Sequence, residues 1–170
     1  MHGIFNWQNR YAIHQTFHQE TGNQIAHYIA TPIQLFAMIK LLAIGTVSGF
    51  DQGINIALVF IIFLSIIYTL IHLPVGLIVS AYLTGCWYIA SYYPFSTSAW
   101  MDMLCALGLF AAGVFIQIRV GHHVYENKKA NLGAEFDEFF QTYNPMIFVL
   151  IFFFPFLDLY HQLKNSKIIP

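Results

Sequence analysis

Apolar positions in this chain come in long runs separated by short polar stretches, a pattern that predicts helices crossing a bilayer. About 20 apolar residues, each rising 1.5 Å, cross the roughly 30 Å hydrocarbon layer. On that measure four spans are predicted, at about 24–47, 54–72, 75–93 and 99–120. The first carries Pro32 and ends at the turn-rich Ser48-Gly49-Phe50-Asp51-Gln52-Gly53. Pro74 divides the second from the third, because proline lacks an amide hydrogen and restricts the residue before it. Tyr92-Tyr93-Pro94 closes the third with aromatics suited to the interface. Ser96-Thr97-Ser98 caps the fourth. A polar segment at 121–144 follows, and then a fifth apolar run at 145–160 containing Phe152-Phe153-Phe154-Pro155-Phe156. Short and broken by proline, that run spans, re-enters or lies along the interface. The fold class that results is all-α: a polytopic membrane helical bundle of four transmembrane helices plus a re-entrant or fifth helix, forming one domain over 1–170.

Composition agrees with lipid as the solvent. Of the 170 residues, 58% are apolar and only 9% charged, against about 25% charged in a soluble domain. A net charge of -1 and the lack of a basic run argue against a nucleic-acid partner. Cys86 and Cys105 both lie in apolar runs and are read as small buried side chains rather than a disulfide or metal pair. The first 24 residues are polar and lack the apolar core of a secretory signal, so the N-terminus is expected to be mature protein.

Charge gives an orientation. Arg10, Arg119, Lys128 and Lys129 flank the start of span one and the end of span four, whereas the opposite loops carry Asp51 and Asp102. The positive-inside rule then puts the N-terminus and the 121–144 segment in the cytosol. Lys164 and Lys167 put the C-terminus there too, which favours a re-entrant fifth segment. Lys40, inside span one, either snorkels to the interface or faces a polar cavity.

This orientation gathers histidines. His27 starts span one with His18 just before it, His72 ends span two, and His122 and His123 follow span four. Three segments distant in sequence therefore bring imidazoles to one membrane depth, the cytosolic face. His18 and His27, nine apart, would face opposite ways on one continuous helix. A bend at Thr21-Gly22-Asn23-Gln24 is expected, with Gly22 permitting the break and Thr21 and Gln24 forming a capping box. Asn23 and His27 are four apart and share a helix face, as are His122 and Glu126. Imidazoles with a carboxylate and open positions suit Fe(II) oxygen chemistry, although zinc or manganese fits such a site as well. His14 and His161 are read as interfacial or solvated. Glu126 is left as a ligand, a partner orienting a histidine, or a helix-end acid.

The pattern His18-x4-Asn23-x3-His27-x4-Pro32, together with Gly121-His122-His123-Val124-Tyr125-Glu126 and the trailing Leu132, resembles the Mpo-type 2-hydroxy fatty acid dioxygenase family. The resemblance covers most of the chain. It implies an Fe(II) cofactor and α-oxidation, in which O2 converts a 2-hydroxy fatty acid to a fatty acid one carbon shorter. It implies His18, His27 and His122 as iron ligands or essential histidines, with His72 and His123 as candidates to complete the metal set and Asn23 and Glu126 in catalytic support. The chain departs from the family at Ala130-Asn131-Leu132, where Pro-Ala-Leu is usual, and at Ile118, where Gln is usual. A 2-hydroxy acid can chelate iron through its carboxylate and hydroxyl while its tail lies among the spans. Phe36, Trp87 and Phe115 either line that tail channel or face lipid and neighbouring helices. The competing class is a small metal-ion or proton transporter, which would place ionisable groups at mid-membrane and often shows a repeat. The expected home is an integral position in a bacterial inner membrane, or the endoplasmic reticulum in a eukaryote.

Overall fold

A computed structural model describes residues 7–44, 55–126 and 146–169. The loop at 48–53, the polar stretch at 127–144 and the Ala130-Asn131-Leu132 departure lie outside them. The described chain is helical: α1 (Trp7–Phe17), α2 (Thr21–Ala43), α3 (Ile56–Ile71), α4 (Leu73–Tyr92), α5 (Ala99–Phe115), a π-helical segment (Ile116–Glu126) running on from α5, and α6 (Met146–Asn165).

Four of these stretches are long and apolar enough to cross a membrane: α2, α4, α5 with its π-helical continuation, and α6. The 145–160 run, open in the sequence between spanning, re-entering and lying along the interface, belongs to one continuous helix of 20 residues, Met146–Asn165, long enough to span. Pro155 sits inside it without ending it, as apolar helices tolerate when neighbours re-satisfy the freed backbone groups. The 54–72 run, by contrast, yields a 16-residue helix, about 24 Å at 1.5 Å per residue and short of the hydrocarbon thickness.

The outward faces carry large apolar side chains. On α3 these include Ile62, Phe63, Ile66 and Leu70, and on α5 Trp100 and Leu104. Water would penalise so much exposed hydrocarbon, whereas acyl chains match it. The chain is therefore an integral membrane protein by composition and by surface.

The chain divides into two compact units, one of residues 31–114 and one of 1–30 with 115–170. In the first, α3 and α4 form a helical hairpin hinged at His72, whose extended backbone (φ -152, ψ 100) ends one helix and starts the next. The His72 ring accepts the Val75 amide, capping α4. Gly76 is required at this corner, because a Cβ would strike the backbone of Tyr68 and Thr69. Leu35, Ile39, Leu64, Tyr68, Val79 and Leu83 form the core.

Lys40 does not snorkel: it is buried, with its charge met inside the protein. Its Nζ donates to Ala90 O at 2.9 Å and Tyr93 O at 3.2 Å and pairs with Asp102 Oδ2 at 3.1 Å. Asp102 Oδ1 in turn accepts the Phe95 amide at 2.6 Å. A buried charge persists in an apolar setting only when paired and hydrogen-bonded, and here it is both. Of the cysteines, Cys86 is buried as expected, but Cys105 is exposed on α5, and neither is in a disulfide. Trp87 donates to Asn55 Oδ1, Phe36 meets the Phe95 ring, and Phe115 is exposed.

Candidate metal centre

The second unit carries His18, His27 and His122. α1 ends at Phe17 and α2 begins at Thr21, so the chain turns at residues 18–20. His18 sits in that turn and His27, the seventh residue of α2, lies in its second turn. The π-helical segment brings His122 against both. His18 Nε2 lies 3.1 Å from His27 Nε2, which lies 3.3 Å from His122 Nε2. All three rings are buried, and their ligand atoms fall within 4.8 Å of one another.

The atoms that meet are suited to a cation. His18 Nδ1 contacts the His14 carbonyl at 2.8 Å and must be the protonated nitrogen, because a carbonyl only accepts. Its Nε2 therefore offers a lone pair to the cluster. Burial, and then the nearby His14, lower the His18 pKa to about 3, so the ring is neutral. Two imidazole nitrogens about 2.1 Å from one ion would lie roughly 3.0 to 3.4 Å apart at angles between octahedral and tetrahedral. The observed 3.1 and 3.3 Å fit that spacing for the two pairs that share His27. Among the described residues the group consists of histidines alone, a set that accepts Fe(II), Zn(II) or Mn(II) without distinguishing them.

The surrounding contacts hold the turn. Glu126 Oε1 accepts the amides of Gln19 at 2.5 Å and Glu20 at 2.9 Å. A carboxylate thus sits at the N-terminus of α2, where the helix dipole favours negative charge. Asn23 is fully buried, and its Nδ2 donates to Phe17 O at 3.1 Å. Its Oδ1 lies where a Cβ on residue 121 would have to go, so Gly121 allows the π-helical segment to close on α2.

Several sequence expectations change here. Gly22 lies inside α2 rather than at the bend, and it is glycine because the Tyr125 ring occupies the space of a Cβ. Thr21 is likewise inside the helix, and the Gln24 side chain donates to His18 O at 2.7 Å instead of completing a capping box. Glu126 supplies the cap from a distant segment. His123 is exposed on the π-helical segment, and His72 caps α4, so neither joins the three-histidine group.

His14, expected to be interfacial or solvated, is shielded from solvent. Its Nε2 lies 3.1 Å from Asp158 Oδ2, and its ring stacks on His18 with centroids 3.8 Å apart. Asp158 also accepts from the Tyr11 hydroxyl at 2.6 Å. Burial and the Asp158 contact raise the Tyr11 pKa well above the ordinary value, keeping the phenol a donor. Sequence reasoning passed over Asp158. The available signal was a lone carboxylate in an apolar run, which lipid tolerates only when it is paired.

The chain matches a family model described as 2-hydroxy-palmitic acid dioxygenase Mpo1-like over residues 4–156. It belongs to that family. Both motifs, 18–32 and 121–126, lie inside the matched region, and the family's name describes a dioxygenase. No curated protein matches the chain, and no solved structure does.

Proposed function

We propose that the chain, acting as one membrane-embedded domain, is an Fe(II)-dependent dioxygenase that shortens 2-hydroxy fatty acids by one carbon through α-oxidation. The observation that carries the reading is the convergence of three buried imidazole Nε2 atoms in a member of this dioxygenase family. A bacterial inner membrane, or the endoplasmic reticulum in a eukaryote, is the proposed location.

His18, His27 and His122 would hold the iron, which would relay electrons from the substrate to O2 and offer the open coordination positions that O2 chemistry requires. The residues do the rest. His14 fixes the His18 tautomer through its carbonyl, leaving Nε2 as the ligand atom. Asn23 ties α2 to the end of α1, and Glu126 ties the turn at 19–20 to the segment carrying His122. Those ties keep three ligands from distant parts of the chain in register, the positional precision a catalytic site demands. The apolar faces of the helices suit an acyl tail, while the buried polar cluster suits the acid's head.

The test is direct. The protein is purified anaerobically in detergent, its iron measured, and O2 added with 2-hydroxypalmitate. Pentadecanoic acid is the expected product. No product after loading with Fe(II) would overturn the assignment.

A further inference from the structure

Asp158 has no part in the chemistry outlined above, yet it is the carboxylate on α6 that engages the metal cluster's surroundings. A carboxylate buried in an apolar helix is expensive unless its oxygens are used. Both are. Oδ1 accepts the Tyr11 hydroxyl at 2.6 Å, and Oδ2 meets His14 Nε2 at 3.1 Å.

Both partners lie on α1, three residues apart, on the face turned toward α6. His14 then holds His18 at two points. Its ring stacks on the His18 ring at 3.8 Å and 22°, and its carbonyl takes the His18 Nδ1 proton at 2.8 Å. One residue thus covers the imidazole and fixes which nitrogen is free, and a single carboxylate anchors that residue. Asp158 lies two positions beyond the region that matches the family.

We propose that Asp158 is a positioning residue for the metal centre, acting through His14 to aim His18 Nε2. The inference rests on reading His18, His27 and His122 as metal ligands. Partners that orient ligating histidines typically contribute 10–100-fold to metal affinity. A tether serving stability alone would lower the melting temperature and leave the bound metal's spectrum untouched.

The experiment titrates Co(II) into the full chain in detergent without oxygen, reading both affinity and the d–d absorption. Asp158→Leu keeps the branched outline of four side-chain heavy atoms in an apolar helix and removes both hydrogen bonds. Its Co(II) affinity should fall about 10–100-fold, with a displaced absorption band. His14→Phe keeps the stacked ring and the backbone carbonyl but not the pairing with Asp158, and it should give a comparable loss. The double variant should be no weaker than the worse single variant, because both act along one path, and Asp158→Glu should recover part of the affinity. Wild-type affinity and spectrum in either Asp158→Leu or His14→Phe would overturn the proposal, as would losses that multiply in the double variant. Should Asp158→Leu not fold, His14→Phe and Asp158→Asn replace it, with the same losses expected and the same wild-type behaviour overturning the proposal. Failure of the underlying metal reading looks different: the wild-type protein binds no Co(II), or His27→Ala binds as much as wild type.

Discussion

Replacing Glu126 with Gln separates two roles that its motif position leaves open. Glu126 accepts two backbone amides, from Gln19 and Glu20, at the N-terminus of α2. Glutamine keeps a side-chain oxygen for those amides and loses the charge. A hydrogen bond to a charged group contributes about 1.5–3 kcal/mol and a neutral one about 0.5–1.5, so two such bonds lose about 2 kcal/mol. The helix dipole adds about 0.3–1 kcal/mol of lost attraction. Glu126→Gln should therefore destabilise the apo-protein by about 2–3 kcal/mol. Glu126→Ala, which leaves two amides without their acceptor, should cost about 2–6 kcal/mol at 1–3 per orphaned group. The assay is unfolding in detergent by circular dichroism, paired with Co(II) titration of each folded variant. Because three histidines form the group, Glu126→Gln should retain metal with a loss below about tenfold, at the low end for a supporting partner. Abolished metal binding at unchanged stability would refute the capping argument and make Glu126 a ligand.

Other consequences follow from single contacts. Lys40→Met should cost about 3–5 kcal/mol by stranding the Asp102 charge, whereas Lys40→Met with Asp102→Leu should recover most of it; equal stability of the single variant and wild type in thermal unfolding would contradict a buried pair. Gly22→Ala should destabilise by about 1–3 kcal/mol by overpacking against Tyr125, and Tyr125→Ala should relieve that cost. His18 has its folded pKa lowered to about 3, below the ordinary 6.5. The unfolded chain therefore takes up this proton first, and apo-protein stability should fall as pH drops from about 6.5 toward 3; a melting-temperature profile of His18→Gln no flatter than wild type in that window would count against it.

What was legible in the sequence was what depends on one segment at a time. Apolar run length placed the helices, and the spacing of His18 and His27 required a bend between them. Motif positions named the three imidazoles that meet. What was not legible depends on contacts between segments. The 145–160 run looked too short because its helix continues through polar residues to Asn165, where hydropathy gives no signal. Gly22 read as a breaking position and Gly121 only as part of a motif, while their role is to admit Tyr125 and Asn23. His14 read as interfacial or solvated because its partner, Asp158, lies 144 positions away. The π-helical winding at 116–126 left no trace in side-chain periodicity.

The unit that holds His18, His27 and His122 is built from the two ends of the chain, with the other unit lying between them in sequence. A ribosome therefore delivers His18 and His27 early, His122 some 95 residues after His27, and Asp158 later still. The contiguous unit at 31–114 can enter the bilayer while the metal centre is only part made. At a synthesis rate of about 5–20 residues per second, the early imidazoles wait roughly 5–20 seconds for their partner. On the proposed reading, metal capture is consequently a closing event of biogenesis, and a ribosome stalled before residue 122 yields an inserted protein without the three-histidine group.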